Sequence, residues 1–365
     1  MILAGDIGGT HTRIALFEAT ALSQARDKLA LILEQVYPSR EHQDLHEILQ
    51  LFMQQHPAQI SAACFGIAGP VVSQVVSTPN LPWVIDGAQL SKQTGINPLW
   101  LINDLHAHAA GVGDLAPSDF VPLNSAAPIA GNAALIAAGT GLGQAGLYWD
   151  GAIHHAFPGE GGHCDFAPRN DLEVALLQYL IRKFGRVSYE RILSGPGLHN
   201  IYDFLRDSQL ESEPPALKAE LAEAADGVAI ISQHALLGDA PICQRALSIF
   251  VQVYGAEAGN LALKMLATAG LFISGGIAGK ILPRLQAPEF LEAFVAKGRL
   301  QPLMETIPVK VIINDSVGLL GAARYAQLMR TALADVPYSS GTEASRRVRT
   351  SKTFAGRTIS WLFRT

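Results

Sequence analysis

Cysteine is scarce: Cys64, Cys164 and Cys243 are the only three in 365 residues. So few, scattered and odd in number, they exclude a disulfide framework and point to a reducing compartment. Charge is also sparse, at 16% of residues against 49% hydrophobic, which excludes an extended, self-repelling chain. Positive charge is in deficit: the net charge of −5 argues against nucleic acid as the main ligand. Anions would have to be met by local donors. No uninterrupted apolar run approaches the roughly 20 residues of a membrane span. Asp6 arrives too early for the apolar segment of a secretory signal. These absences lead us to expect a cytoplasmic protein with neither membrane nor nucleic-acid partner. Its length suits two α/β domains, each with its own core.

What the chain does have is glycine in informative places. Leu3-Ala-Gly-Asp-Ile-Gly-Gly-Thr-His-Thr-Arg13 runs an apolar strand into an acidic residue, a Gly-Gly-Thr turn and a second strand. Asp6 at the strand's end can hold a hydrated cation. Gly8 and Gly9 let backbone approach phosphate oxygens, because glycine lacks a Cβ and tolerates φ > 0, and Thr10 adds a hydroxyl. An ordinary tight hairpin explains this turn as well. A second unit, Leu135-Ile-Ala-Ala-Gly-Thr-Gly-Leu-Gly143, repeats the pattern with Gly139, Thr140 and Gly141. Two such units look like facing halves of a phosphate clamp. Neither is a Walker loop, since no Gly-Lys-Ser/Thr follows, and neither turn feeds a helix as a dinucleotide fingerprint does.

Along the first third, strands are expected at 2–5, 13–17, 29–37, 62–67, 71–77 and 99–102, and helices at 45–55 and 105–112. Three strands in a row followed by a helical crossover imply a mixed sheet with a buried parallel part. The Gly/Pro/Ser-rich passage 111–131 reads as the crossing into a second domain. That domain restarts with a strand at 133–138 and another at 145–149. It continues through a helix-rich stretch at 172–266, strands at 271–274 and 309–313, and an alanine-rich helix at 317–329. From about 335 the character changes. Arg346, Arg347, Arg349, Lys352, Arg357 and Arg364 face only Asp335 and Glu343, the mark of a poorly ordered solvated tail or of an arm for an anionic partner.

Several carboxylates sit where chemistry is done. Asp104, in Leu101-Ile-Asn-Asp-Leu105, stands where a buried strand meets a helix, the edge at which α/β folds gather ligands. It suits a helix N-cap or a general base taking a hydroxyl proton in phosphoryl transfer. Asn103 beside it offers a donor and an acceptor to a sugar hydroxyl. Pro158-Gly-Glu-Gly-Gly-His-Cys-Asp165 sets Glu160, His163 and Asp165 among glycines, a loop built for close approach. With Cys164 it resembles half a zinc site, but no Cys-x-Cys or Cys-x-x-Cys follows, and recognition of a polyol fits better. Glu190, ahead of Ser194-Gly-Pro-Gly197, is an ordinary helix-face glutamate unless it keeps company with the others. Gly275 and Gly276 end an apolar strand and suit a nucleotide base or ribose. Asn314-Asp315-Ser316, with Gly318 and Gly321 after it, suits a hinge. His106, His108, His154 and His155 read as surface or satisfied histidines.

Taken in order, Asp6-Ile-Gly-Gly-Thr10, Ile102-Asn-Asp104, Gly139-Thr-Gly141, Pro158-Gly-Glu-Gly-Gly-His163, Glu190 with Ser194-Gly-Pro-Gly197, and Gly275-Gly276 resemble the bacterial ATP-dependent glucokinases. These belong to the actin/hexokinase/heat-shock ATPase superfamily. The resemblance spans 1–330 and implies an α/β fold of two ribonuclease-H-like domains around a central cleft. The small domain would comprise 1–112 plus 315–331, and the large one 113–314, with 335–365 as the basic tail. It further implies ATP-dependent transfer of phosphate to the 6-hydroxyl of glucose, with ATP and Mg²⁺ and a homodimeric assembly. Asp104 would be the base. Asn103, Glu160, His163 and Glu190 would hold sugar hydroxyls. Asp6, Gly8, Gly9 and Thr10 would face phosphates and, through water, Mg²⁺; Gly139, Thr140 and Gly141 would wrap the γ-phosphate; Gly275 and Gly276 would lie near adenosine. The cysteine-rich zinc motif of the broader sugar-kinase and repressor family is missing, and with no room before Ile2 a helix-turn-helix is not expected, which favours the zinc-free glucokinase branch. A kinase for another hexose or an N-acetylated amino sugar, or a sugar-sensing ATPase without turnover, are the alternatives.

Overall fold

The computed structural model describes residues 1–18, 29–78, 80–224 and 226–334. The basic stretch expected to be a poorly ordered tail lies outside the described residues. The first sheet is built from β1 (Ile2–Ile7), β2 (His11–Glu18), β3 (Ala30–Pro38), β4 (Ala62–Ile67) and, after a small ribbon of β5 (Val75–Ser77) and β6 (Val84–Asp86), β7 (Leu99–Asn103). Its order is β3-β2-β1-β4-β7, two antiparallel hairpin steps followed by two parallel crossovers. The second sheet uses β8 (Phe120–Pro122), β9 (Ala133–Ala138), β10 (Leu142–Trp149), β11 (His154–Gly159), β12 (Gly270–Ser274) and β13 (Val309–Ile312). Its order is β11-β10-β9-β12-β13-β8. Apart from the added edge β8, the connectivity of the first sheet is repeated. This is the ribonuclease-H-like arrangement, present twice.

The sequence explains which strands are central. β4 (AACFGI) and β9 (AALIAA) are buried at every position, as strands covered on both faces must be. In β1 and β4 alternate residues serve alternate faces. Leu3, Ile7, Ala63 and Phe65 pack against Ile48, Leu49 and Phe52 of the Leu45–Gln55 helix. Ile2, Ala4 and Cys64 pack against Leu319, Ala322, Ala323 and Ala326 of the Val317–Ala334 helix. That last helix thus returns to the first sheet. The larger core lies around the Pro241–Met265 helix, which is buried along most of its length.

Several expectations need correction. The strand expected at 71–77 is broken: Ser73 and Gln74 adopt left-handed backbone, with φ of 51° and 63°, and only Val75–Ser77 is extended. Apolar content alone cannot reveal a turn made by non-glycine residues. The stretch 158–165 is not loop throughout, because Pro158 and Gly159 close β11. That strand is a sheet edge, where proline's missing N–H costs no ladder bond. The passage 111–131 contains β8, and the final helix runs on to Ala334.

Candidate active site

Asn103 ends β7, and its side-chain oxygen accepts hydrogen bonds from Leu105 N (2.9 Å) and His106 N (3.3 Å). Asn103, not Asp104, is therefore the cap of the Asp104–Gly111 helix, and its amide nitrogen donates to Gly69 O at 3.1 Å. Asp104 follows as the first helical residue, and its carboxylate accepts from Leu105 N at 2.9 Å. Burial, followed by the charges of Asp6 and Glu160, drives its carboxyl up to about 7, against the Leu105 hydrogen bond. A carboxyl tuned to the working pH is suited to proton transfer.

Glu160, His163 and Glu190 come together. His163, in the turn Gly161–His163, places Nε2 3.9 Å from Glu160 and Nδ1 3.9 Å from Glu190. Glu190 sits in a short turn, not on a long helix face, and its carboxylate accepts from Leu142 N at 3.0 Å. It is thereby fastened to the exit of the Gly139–Gly141 turn. Asp165 turns aside to pair with Arg186 at 2.8 Å. Asn103 and Glu160 border a cavity of about 550 Å³ that also involves Ser73, Gln74, His106 and Tyr325. Ser73, Gln74 and Tyr325 carry no signal in the sequence, and His106 reads there only as a surface or satisfied histidine. Gln74 bonds both Leu101 N (2.8 Å) and Leu101 O (3.2 Å), mimicking an extra strand on β7. Its left-handed backbone is what turns it there, and no sequence pattern announces that. Cys164 is exposed, whereas Cys64 and Cys243 are buried on separate elements. Among the described residues no group of three or more His, Cys, Asp or Glu could hold a metal on its own.

Of the two reasons expected for the glycine turns, a missing Cβ and tolerance of positive φ, only the first is found. None of Gly8, Gly9, Gly139 and Gly141 has positive φ. A Cβ on Gly9 would lie 2.6 Å from Asn80 Cβ, and one on Gly141 would lie 2.5 Å from a Glu190 carboxylate oxygen. At Gly9 and Gly141 missing side-chain bulk, not left-handed backbone, is the requirement, whereas a Cβ on Gly139 would meet nothing within 4 Å. Gly275 needs both: φ is 91°, and a Cβ would stand 2.7 Å from Ala138 O. Gly139, Thr140 and Gly276 border a second cavity of about 1110 Å³, together with Gly195, His199, Asp226 and Lys280. Of these, only the glycines and Thr140 carried a sequence signal.

Asp6 lies within β1, one residue before its end. Burial raises its pKa, against the attraction of His108 and Arg13. His108 is a satisfied histidine, one of the two expected readings. It bonds Ser274 Oγ at 2.9 Å, so the helix that begins with Asp104 is tied to the strand that leads into Gly275.

The glucokinase family profile matches residues 3–329. A glucokinase of Nostoc sp. is 42% identical over 342 residues, covering 88% of this chain and 98% of its own. A glucokinase of Escherichia coli O139:H28 is 34% identical over 328 residues, covering 88% and 96%. Among solved structures, a glucokinase from an Antarctic psychrotroph superposes with a TM-score of 0.78 at 30% identity, covering 90% of this chain and 98% of its own. A matched profile over nearly the whole described chain and relatives above 30% identity make this chain a member of the glucokinase family, with its two-domain actin-like ATPase fold.

Proposed function

We propose that this protein transfers the γ-phosphoryl group of ATP to the 6-hydroxyl of glucose, with Asp104 as general base. The observation that carries this reading is the perturbed carboxyl of Asp104 beside the Glu160–His163–Glu190 cluster. A sugar held by Glu160, His163, Glu190 and the remaining amide hydrogen of Asn103 would set one hydroxyl against Asp104. The base takes that proton as the oxygen attacks phosphorus, and the rest of catalysis is positioning and charge stabilisation. The second cavity, bordered by Gly139, Thr140 and Gly276, is large enough for a nucleotide; adenosine would lie toward Gly275–Gly276, and the phosphates would run toward Gly139–Gly141 and Gly8–Thr10.

The donor set fits Mg²⁺. One carboxylate, here Asp6, with waters and substrate phosphates completing the shell, is a usual way of holding this ion. When bound it would neutralise charge on the phosphates. Asp6 would hold it through water, while Gly8, Gly9 and Thr10 leave room for the phosphate oxygens.

In this reading, residues 1–112 with 315–331 form one lobe and 113–314 the other. The packing of the Val317–Ala334 helix on β1, β4 and the Asp104–Gly111 helix supports that division. Free cysteines, and the absence among the described residues of a helix long and apolar enough to cross a membrane, support a cytoplasmic setting. A homodimer is part of the same proposal.

The test is sugar choice. A site built to bond a hydroxyl rejects ligands that leave its polar groups unpaired. Glu160→Gln is expected to raise the sugar KM by about tenfold or more while the ATP KM stays within about twofold, since it touches one ligand. N-acetylglucosamine is expected to be a poor acceptor, because the clustered polar groups leave little room for an acetamido substituent. Equal turnover of both sugars, or a defect confined to ATP, would reject the assignment.

A further inference from the structure

Glu257 lies in the middle of the Pro241–Met265 helix, fully buried and lining neither cavity described above. A buried carboxylate is costly unless its lone pairs are filled. Here they are filled from two directions. Gln144 Nε2 donates to Oε1 at 2.8 Å, and Asn260 Nδ2 donates to Oε2 at 2.9 Å. The Tyr189 hydroxyl joins on the second side, 3.1 Å from Asn260 Nδ2. Burial and the Glu257 carboxylate push that phenol up to about 12, so it stays a neutral donor. Lys297 Nζ closes the cluster by donating to Asn260 Oδ1 (2.7 Å) and Ala256 O (2.9 Å).

Each arm of this network ends one residue from a sugar-facing carboxylate. The Gln144 side-chain oxygen occupies the space beneath Gly161, where a Cβ would come within 1.9 Å of it, and Gly161 follows Glu160. Tyr189 precedes Glu190, and its backbone N–H donates to Cys164 O, back in the Glu160 segment, at 3.0 Å. Two segments well separated in sequence therefore rest on one carboxylate behind them. We propose that Glu257 is a positioning residue that sets the spacing between Glu160 and Glu190, and with it the discrimination between glucose and its epimers. This rests on the assignment of Glu160 and Glu190 to the sugar.

The test compares Glu257→Gln, Tyr189→Phe and the swap Gln144→Glu/Glu257→Gln with Glu160→Gln, using glucose, its C2 epimer mannose and ATP. Glutamine at 257 turns an N–H toward one of the donors, so one arm loses its seat. Because small misplacements at a reacting centre cost up to 10²-fold, Glu257→Gln is expected to raise the glucose KM about tenfold and lower the glucose-to-mannose ratio of kcat/KM. The ATP KM stays within about twofold. The swap restores an acceptor at 144 opposite a donor at 257, and is expected to recover the wild-type sugar ratio. If Glu257→Gln does not fold, Tyr189→Phe, which removes the hydroxyl that accepts from Asn260 and faces Glu257, is held to the same criteria. Sugar and ATP KM rising together, an unchanged sugar ratio, or no recovery in the swap would overturn the proposal. Should Glu160→Gln itself leave sugar KM unchanged, the sugar-site assignment fails instead.

Discussion

Asp104→Asn is expected to cut turnover by about 10²–10⁴-fold, the usual worth of a general base, while making the fold more stable above neutral pH. Both effects come from one cause. The carboxyl ordinarily titrates near 3.8 and is raised to about 7 here, chiefly by burial. A raised folded-state pKa means that the proton stabilises the fold. That contribution is complete below the unfolded-state value and is lost as pH rises through about 7. Asparagine has no proton to lose, so its advantage is absent near pH 4 and grows to at most about 4 kcal/mol at pH 8. Thermal melting of the two proteins at both pH values checks the stability half. The activity half has its own signature: wild-type kcat/KM falls about tenfold per unit below pH 7, because only the ionised base accepts a proton. In the variant that limb disappears. A variant with wild-type turnover, or one melting lower at pH 8, would contradict the role.

Gly321→Ala is expected to destabilise the protein by about 2–3 kcal/mol or more, at the severe end of overpacking. A Cβ at 321 would stand 1.7 Å from the Ala107 carbonyl oxygen and 2.7 Å from Gly111 N. These are backbone atoms of the facing helix and cannot swing aside. The constraint is mutual, since a Cβ on Gly111 would lie 2.3 Å from Val317 O. Glycine here lets the Asp104–Gly111 and Val317–Ala334 helices touch backbone to backbone. Forcing them apart shifts the helix whose first residue is the base, so kcat/KM is expected to fall by up to about 10²-fold as well. Gly113→Ala, at a position with nothing within 4 Å, is the matched control and is expected to melt like wild type. Unchanged melting in Gly321→Ala would show that the helix contact is looser than described.

How far the sequence could be read follows from what local pattern encodes. The strands at 62–67 and 133–138 and the helix at 45–55 fall where expected, because continuous apolar runs and 3.6-residue spacing are local signals. The repeated strand order is set by tertiary pairing, and was reached only through family resemblance. At Ser73 and Gln74 the chain turns without glycine, so a hairpin looked like one strand. At 103–104 the pattern offered two capping residues, and only the hydrogen bonds assign the cap to Asn103 and leave Asp104 available. The gathering of Glu160, His163 and Glu190 needed separate segments to meet. Glu257 was invisible, because a glutamate in a helix is ordinarily a solvated face and nothing local marks it as buried.

The central claim is that the clustered carboxylates serve phosphoryl transfer to glucose, not sugar sensing. The direct measurement is product formation by the purified protein with ATP, Mg²⁺ and glucose, following ADP release and glucose 6-phosphate together. Equal amounts of the two products, with ADP release dependent on glucose and lost in Asp104→Asn, are the predicted result. Glucose binding without ADP release, or ADP release supported by N-acetylglucosamine as well as by glucose, would contradict it.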